Sequence, residues 1–129
     1  MKNLVSIIIL QYNNVNLLDK CLKSLAKTRY KNYEIIIVDN KSSDNSVEFI
    51  KKNYPNVKLI ENDKNYGFAE GNNIGVKYAN GEFIVFLNND IEVDPNWLDE
   101  LVKTIKKDKK IVACQPKVLS LRDKNKFEY

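Results

Sequence analysis

Short runs of apolar, mostly β-branched residues alternate along this chain with segments in which apolar residues recur at helical spacing. The short runs have the length and composition of strands buried in a parallel sheet. They predict strands over Leu4–Leu10, Tyr33–Val38, Val57–Glu61, Glu82–Leu87 and Ile111–Val118. The last run contains Pro116, which favours an edge position or a bend because proline has no N–H to donate.

Helical periodicity fills the gaps between these runs. We expect amphipathic helices over Asn16–Lys27, Ser43–Asn53, Phe68–Ala79 and Asp94–Lys107. The second of these opens on a cluster of residues that favour helix N-caps, which makes Asp44 a candidate cap, and Asp94-Pro95 suits an N-cap followed by the first helical position. The alternation of strands and helices predicts an α/β fold with a mostly parallel sheet and helices on both faces.

The length of 129 residues favours a single domain over residues 1–121, followed by a polar stretch, 122–129, that we expect to be a mobile tail. None of the apolar runs approaches the roughly 20 residues needed to span a bilayer. The apolar start runs into Gln11 without a small-residue cleavage site, so it predicts a core strand rather than a signal peptide. We expect a cytoplasmic protein, and the basic run Lys106–Lys110 leaves open a peripheral association with the inner face of the membrane.

Composition narrows the chemistry. The net charge is +4, with acidic and basic residues interspersed, and this weak basic bias predicts no nucleic-acid partner. The chain contains no histidine, which excludes a Ser-His or Cys-His nucleophile pair within it. Cys21 and Cys114 match no metal or redox spacing, and their apolar surroundings predict buried, reduced thiols.

Polar residues collect where the predicted strands end. Ligands of open α/β sheets bind in the crevice at the carboxyl ends of the strands. The opposite strand ends are plainer, so the pattern predicts one polar crevice along one edge of the sheet. The carboxyl ends carry Gln11–Asn14, Asp39–Asp44, Asn62–Gly67 and Asn88–Asp90.

This predicted crevice is poor in cations, since Lys41 and Lys64 are the nearby ones and both common glycine-rich phosphate motifs are absent. A phosphate group bound there would need another counter-charge. Asp90 is a candidate ligand for Mn²⁺ or Mg²⁺, with Asn88 as a carbonyl or water-mediated ligand, because both metals suit carboxylate and water ligands.

Four segments in order carry a resemblance to a known family. They are Val5–Ile9 with Tyr12-Asn13, Ile35–Asp44, Asn65–Gly75 and Gly81–Asp90. They resemble the nucleotide-sugar-binding half of family 2 glycosyltransferases, which are inverting enzymes of the Rossmann-like GT-A fold, and the match extends over essentially the whole chain in the correct order. The segments LNND and GFAEGNN are similar to the corresponding sequences of the rhamnosyltransferase-like branch of that family.

The resemblance implies a nucleotide site. Tyr12-Asn13 would wrap the base, Asp39 and Asn40 would contact the edge of uracil or thymine, and Asn65–Asn73 would lie near the base and diphosphate. Asn40 stands where family members often have a second acidic residue. The residues expected to bind nucleotide are Leu10, Gln11, Tyr12, Asn13, Asp39, Asn40, Ser42, Gly67, Asn72, Asn73, Asn88 and Asn89.

The resemblance also implies a metal site and an activity. Asn88-Asn89-Asp90 matches the Asp-x-Asp metal motif of the family, with Asn88 in place of the first carboxylate. We expect a donor domain for polysaccharide biosynthesis that binds a UDP- or dTDP-sugar with a divalent metal, for inverting transfer to a hydroxyl of a glycan or lipid-linked acceptor. In the family, the sheet continues into an acceptor-binding half, and we expect this chain to be truncated before that half. The general base is expected there, beyond Tyr129, so these residues alone are expected to be inactive.

Other interpretations stay open at this point. Asp39 can cap a turn, Asn88–Asp90 can be an ordinary turn, and the glycines at 67, 71 and 75 can serve close packing of a helix on the sheet. The whole chain can also be a non-catalytic nucleotide-binding or assembly module of the same fold. A receiver-like domain is less favoured, because the first strand ends in Gln11-Tyr12-Asn13 rather than in an acidic cluster.

Overall fold

The computed structural model describes residues 2–127. Strands and helices alternate along them, as the apolar pattern predicts. In chain order the elements are β1 (Val5–Gln11), α1 (Val15–Leu25), β2 (Tyr33–Asp39), α2 (Ser46–Asn53), β3 (Lys58–Glu61), α3 (Gly67–Val76), β4 (Phe83–Asn88) and α4 (Trp97–Lys106).

The strands form one parallel sheet in the order β3-β2-β1-β4. The β1 strand lies at its centre, with β2 on one side and β4 on the other. Helices cover both faces of β1, which explains why Val5–Ile9 is buried without the apolar-polar alternation of a half-exposed strand. The predicted α/β class, with a parallel sheet and helices on both faces, is therefore confirmed.

Two apolar layers hold the sheet. On one face, alternate residues of the strands pack with buried residues of α1, α2 and α4, among them Leu18, Ile50 and Leu98. On the other face a smaller cluster, built on Ile8 and Ile36, packs against α3. Each buried aliphatic side chain contributes about 1.5–3 kcal/mol, so the larger layer dominates the stability of the fold.

Glycines let α3 approach the sheet closely. A Cβ at Gly71 would lie 2.5 Å from Leu10 Cδ1, and a Cβ at Gly75 would lie 2.6 Å from Ile8 Cγ2. Real Cβ atoms do not approach other atoms so closely, so these two glycines serve packing. Gly67 differs, because its φ of +79° requires a left-handed backbone while nothing lies within 4 Å of its Cβ position.

The predicted fifth strand is wrong. Residues 111–118 form no strand, and the nearest pairing is an isolated bridge between Leu119 and Phe127. Pro116 cannot donate to a ladder, and the free edge of β4 is left without a partner among residues 2–127. The segment instead lines an open groove of about 1000 Å³ with β4 and α4.

The expectation that every strand is fully buried is also wrong at the sheet edges. In β4, Ile84 is 36% and Phe86 is 55% exposed, because no described helix covers that face of the edge strand. In β3, the outer positions are likewise exposed. The α3 helix packs mainly on the central strands β1 and β2 rather than on the edge strands.

Helix starts and the tail differ in detail from the sequence prediction. The N-caps are Asn45 and Asn96 rather than Asp44 and Asp94, because each aspartate instead accepts a hydrogen bond from the backbone two residues on. Residues 122–127 turn back on the chain, with Lys126 O accepting from Ser120 N at 2.9 Å. Positions 128 and 129 of the predicted tail lie outside the described residues, and its mobility stays a prediction. Within residues 2–127, every helix is too short or too polar to span a bilayer.

We predict that Cys21 is chemically silent in the folded protein. Burial, with added repulsion from the carboxylates of Asp90 and Glu92, raises the pKa of its thiol to about 12, so the reactive thiolate is scarce at pH 8. Titration of a Cys114→Ser variant with a thiol reagent should detect no reactive group under native conditions and one after denaturation. Rapid native labelling of Cys21 at pH 8 would contradict the placement of this side chain in the core.

Candidate functional site

The register of the sheet brings the predicted site residues to one edge. Gln11 pairs with Asp39, Asp39 pairs with Glu61, and Leu10 pairs with Asn88. The carboxyl ends of all the strands therefore lie level with one another. Between β1 and β4 the strand order reverses direction, and in open α/β sheets this switch point is where the ligand crevice forms.

Unusual backbone conformations gather at the same edge. Asn13, Asn14 and Lys41 have φ between 55° and 60°, and all three follow the carboxyl end of β1 or β2. Left-handed backbone is uncommon for residues other than glycine, and asparagine tolerates it best. Such positions persist only when surrounding contacts hold them, and they cluster at ligand-binding sites.

The loop after β1 is tied to the loop after β2. Asn13 Oδ1 accepts hydrogen bonds from Ser43 N at 2.8 Å and from Asp44 N at 3.2 Å, and Asn13 N donates to Ser42 Oγ at 2.9 Å. These bonds stabilise the left-handed turn. Tyr12, which precedes it, is 49% exposed and offers its ring to the solvent side of the loop.

Asp39 is buried beneath this double loop, with 1% of its surface exposed. Its two carboxylate oxygens accept from Ser42 Oγ at 2.6 Å and from Ser42 N at 2.9 Å. Ser42 therefore connects Asp39 with Asn13, which joins three of the predicted nucleotide-binding residues in one hydrogen-bonded unit. A carboxylate oxygen has a second lone pair, so Asp39 retains acceptor capacity toward a donor such as an imide N–H.

Asn40 is equally buried, and its amide joins three elements. Its Nδ2 donates to Gly67 O at 3.1 Å, and its Oδ1 accepts from Asn62 Nδ2 at 2.8 Å. Through these bonds Asn40 fixes the end of β3 and the start of α3 relative to β2. The direct base contact expected from the resemblance stays a prediction, and it requires Asn40 to keep these bonds or exchange them.

The first turns of α3 supply the far wall of the crevice. Asn72 is 7% exposed and its Nδ2 donates to Phe68 O at 3.0 Å within the helix, whereas Asn73 is exposed. The backbone N–H of Gly67, at the start of the helix, donates to Asn65 Oδ1 at 2.8 Å. Of these residues, Asn73 is the one whose side chain is open to a ligand.

Gln11 is fully buried at the end of the central strand. Its Nε2 donates to Asn13 O at 2.6 Å and to Ser46 Oγ at 3.0 Å, and its Oε1 accepts from Asn89 Nδ2 at 2.9 Å. The side chain therefore bonds to the β1 loop, the start of α2 and the β4 loop at once.

The Asn88–Asp90 loop presents its outer side chains to solvent. Asn88 and Asp90 are exposed, and the carboxylate of Asp90 has no hydrogen bond or ion pair with any other described side chain. The backbone carbonyl of Asn88 faces inward, where it accepts from Cys21 Sγ at 3.8 Å and from Ile91 N at 3.3 Å. This arrangement leaves an unpaired carboxylate beside an exposed amide at the switch point.

Asp90 and Asn88 would suit a divalent cation whose remaining coordination positions are filled by water and by the phosphates of a bound substrate. Within residues 2–127 no three histidine, cysteine, aspartate or glutamate side chains cluster as a ready-made metal site. Magnesium-type sites, however, commonly use one or two carboxylates together with water and substrate phosphates. Asp90, free of internal partners and flanked by the amide of Asn88, meets that requirement.

The sequence did not indicate Ser46, whose Oγ accepts from Gln11 Nε2. It placed Asn62 and Asp44 at the strand ends without a role in the site; Asn62 donates to Asn40, and Asp44 accepts from Ser46 Oγ and from Val15 N. A buried amide at the end of an otherwise apolar strand was the available signal, because such a group needs several partners. The identity of those partners depends on the tertiary fold.

Comparison with known proteins agrees with this geometry. The model of glycosyl transferase family 2 matches residues 6–128. An uncharacterized glycosyltransferase of Haemophilus influenzae is 31% identical over 113 residues, which are 85% of this chain and 35% of that protein.

Solved structures agree as well. S. aureus TarS 1-349, also solved in complex with UDP and with UDP-GlcNAc, has a TM-score of 0.73 at 27% identity, covering 80% of this chain and 32% of that one. The mannosyltransferase PcManGT from Pyrobaculum calidifontis, solved with GDP-Man and Mn²⁺, has a TM-score of 0.73 at 23% identity, covering 88% of this chain and 33% of that one, and this likeness shows the fold alone.

The chain thus spans about a third of the length of the Haemophilus protein and of TarS 1-349. The order of its motifs, its parallel sheet and the match over residues 6–128 all agree with the GT-A fold expected from the sequence. The chain belongs to glycosyl transferase family 2.

Proposed function

We propose that this chain is the donor-binding domain of a glycosyltransferase that takes a UDP- or dTDP-linked sugar with a divalent metal and serves inverting transfer to an acceptor hydroxyl. The observation that carries the proposal is the level row of strand ends, with buried Asp39 on one side of Gln11 and unpaired Asp90 on the other. The carboxylate of Asp39 suits contact with the edge of a base, and the carboxylate of Asp90 suits a cation.

Asp90 is the residue that would hold Mn²⁺ or Mg²⁺, with Asn88 beside it. The cation, when bound, supplies positive charge to the departing diphosphate. That charge is needed because the crevice offers few cations of its own: Lys41 is exposed, and Lys64 Nζ lies over the ring of Tyr66 at 4.9 Å from its centroid. The Mn²⁺ in the PcManGT complex supports a divalent metal on this fold.

The double loop of Asn13 and Ser42 around Asp39 supports a pyrimidine base. Asp39 has acceptor capacity for the imide N–H of uracil or thymine, and the exposed ring of Tyr12 suits stacking on a base. The UDP and UDP-GlcNAc complexes of TarS support the same class of donor. The rhamnosyltransferase-like assignment and the identity of the sugar have no support beyond the resemblance in sequence.

Transfer itself needs a general base within reach of the acceptor hydroxyl. Among the described carboxylates after Asp90, Glu92 lies nearest in sequence, and it follows Asp90 so closely that it suits the surroundings of the proposed metal better than contact with an acceptor. The carboxylate of Asp94 accepts a hydrogen bond from Asn96 N in the turn that precedes α4. We therefore propose that these 129 residues bind donor without transferring sugar, and that the base and the acceptor site lie elsewhere in a complete enzyme.

The proposal extends to the acceptor and the location. The exposed apolar side chains of Ile84 and Phe86 support the expectation that a further part of such an enzyme packs against β4. A glycan or lipid-linked acceptor, use in polysaccharide biosynthesis, and work in the cytoplasm at the inner face of the membrane are all proposed from the family resemblance. The exposed lysines at the end of α4 support contact with an anionic surface.

A second candidate is a nucleotide-binding module without catalysis. Asn88 favours it, because it replaces one of the two carboxylates that the metal motif of the family carries. Nucleotide titration with and without Mn²⁺ separates the candidates, since a module that holds only the nucleoside would gain nothing from metal.

We predict that UDP binding by this chain depends on Asp90 through the metal. Asp90→Ala should reduce UDP affinity in Mn²⁺ at least about tenfold while leaving the metal-free affinity unchanged, because the lost group is a charged ligand. The side chain is exposed, so the melting temperature should stay the same. Isothermal titration calorimetry with and without Mn²⁺ measures both affinities.

The matched control is Asp108→Ala, which removes an exposed carboxylate that follows the end of α4, away from the carboxyl ends of the strands. Its Mn²⁺-dependent affinity should equal that of the unmodified chain. An Asp90→Ala protein that keeps its full response to Mn²⁺ would eliminate the metal assignment.

We also predict a preference for pyrimidine nucleotides. UDP and dTDP should bind more tightly than ADP and GDP in calorimetry, because Asp39 is a buried acceptor. Asp39→Asn should reduce this preference by about 1–3 kcal/mol, since an amide can turn a donor toward the base. Equal or tighter binding of a purine diphosphate would disprove the assignment of the base site.

A further inference from the structure

The orientation of the Gln11 side chain is fixed by one of its partners. The main-chain carbonyl of Asn13 can only accept, so the group 2.6 Å from it must be the Nε2 amide. Oε1 then faces Asn89 and obliges that residue to present its own NH₂ group. Ser46 Oγ accepts the other N–H of Gln11 and donates its own O–H to the carboxylate of Asp44, which can only accept.

The hydrogen bonds therefore run in one direction, from Asn89 through Gln11 and Ser46 to Asp44. Both N–H groups of Gln11 and one side of its oxygen are used, and the side chain has no exposed surface. A nucleotide would find no free donor there. This differs from the direct nucleotide contact expected for Gln11 from the sequence.

The β4 loop has few other attachments. Among Asn88, Asn89 and Asp90, Asn89 is the residue whose side chain bonds to another part of the described chain, and its partner is Gln11. The backbone adds the long Cys21 contact and the turn that ends at Ile91. Beyond the backbone pairing of Leu10 with Asn88, where β4 ends, the Gln11–Asn89 bond is the side-chain link that fixes the loop relative to β1.

We propose that Gln11 is a positioning residue that holds the Asn88–Asp90 loop at the switch point. Held there, Asp90 would bind the same cation as a bound nucleotide. This rests on the proposed function, since it deepens the role of the metal site. The link joins the end of β1 to the loop after the edge strand β4, one residue beyond the last paired position of that strand.

The test uses Gln11→Met, which keeps the volume and removes the hydrogen bonds, and Asn89→Leu, which breaks the same link from a half-buried position if the first variant fails to fold. Thr28→Val is the matched control. It removes a buried hydrogen bond of similar length, Trp97 Nε1 to Thr28 Oγ1 at 3.0 Å, which shares no residue with the Gln11 network.

Two readouts are compared: amide hydrogen exchange of residues 88–91, and UDP affinity with and without Mn²⁺. In Gln11→Met and Asn89→Leu, exchange in this loop should rise, and the Mn²⁺-dependent gain, which is the ratio of UDP affinity with metal to that without, should fall about tenfold. The double variant should be no worse than Gln11→Met alone, because Gln11→Met already removes the bond to Asn89. Thr28→Val should change neither readout even where it lowers the melting temperature.

Unchanged loop exchange in both variants would overturn the proposal. So would faster exchange with a full Mn²⁺ response, or an equal loss of metal-free and metal-dependent affinity, which would make Gln11 a general support or a direct contact. An unmodified chain that binds no UDP in either condition would refute the proposed function and the metal part of this inference, while the exchange measurement would still decide whether Gln11 holds the loop.

Discussion

Burial of β1 on both faces is the constraint on which the rest of the site depends. A strand covered by helices on each side leaves little room for polar side chains along its length, so apart from Ser6, which donates to Glu34, the polar groups of β1 gather at its end. Parallel pairing then brings the ends of β2 and β4 level with it. The polar crevice is therefore a consequence of the same packing that stabilises the fold.

The apolar pattern was sufficient to predict four strands, four helices and the edge at which chemistry collects, because strand burial and helical periodicity are local properties of the sequence. It failed where tertiary context decides. The run Ile111–Val118 has strand composition, yet Pro116 and the lack of a described neighbour leave it unpaired. Ile84 and Phe86 look like core residues and are exposed, because the exposure of an edge strand depends on what covers it.

The candidate site shows the same division between what the local sequence predicts and what the tertiary fold decides. The sequence predicts which residues stand at the strand ends, but it cannot distinguish those that face a ligand from those that hold the loops. Asp90 and Asn73 are open to solvent, whereas Asn40 and Gln11 are buried and hydrogen-bonded within the protein. Asp39 belongs to both groups, because it is buried against Ser42 and keeps acceptor capacity for a base. The two groups form layers, with exposed ligands above and a network of amides and hydroxyls beneath that fixes their positions.

The central prediction is that one nucleoside diphosphate binds along this edge of the sheet, from Asp39 to Asp90. A crystal structure of the chain with UDP and Mn²⁺, with anomalous scattering recorded for manganese, tests that claim most directly. We expect the base beside Tyr12 and Asp39 and the anomalous peak within bonding distance of Asp90 and the diphosphate. A nucleotide bound elsewhere on the sheet, or a manganese peak remote from Asp90, would contradict the account.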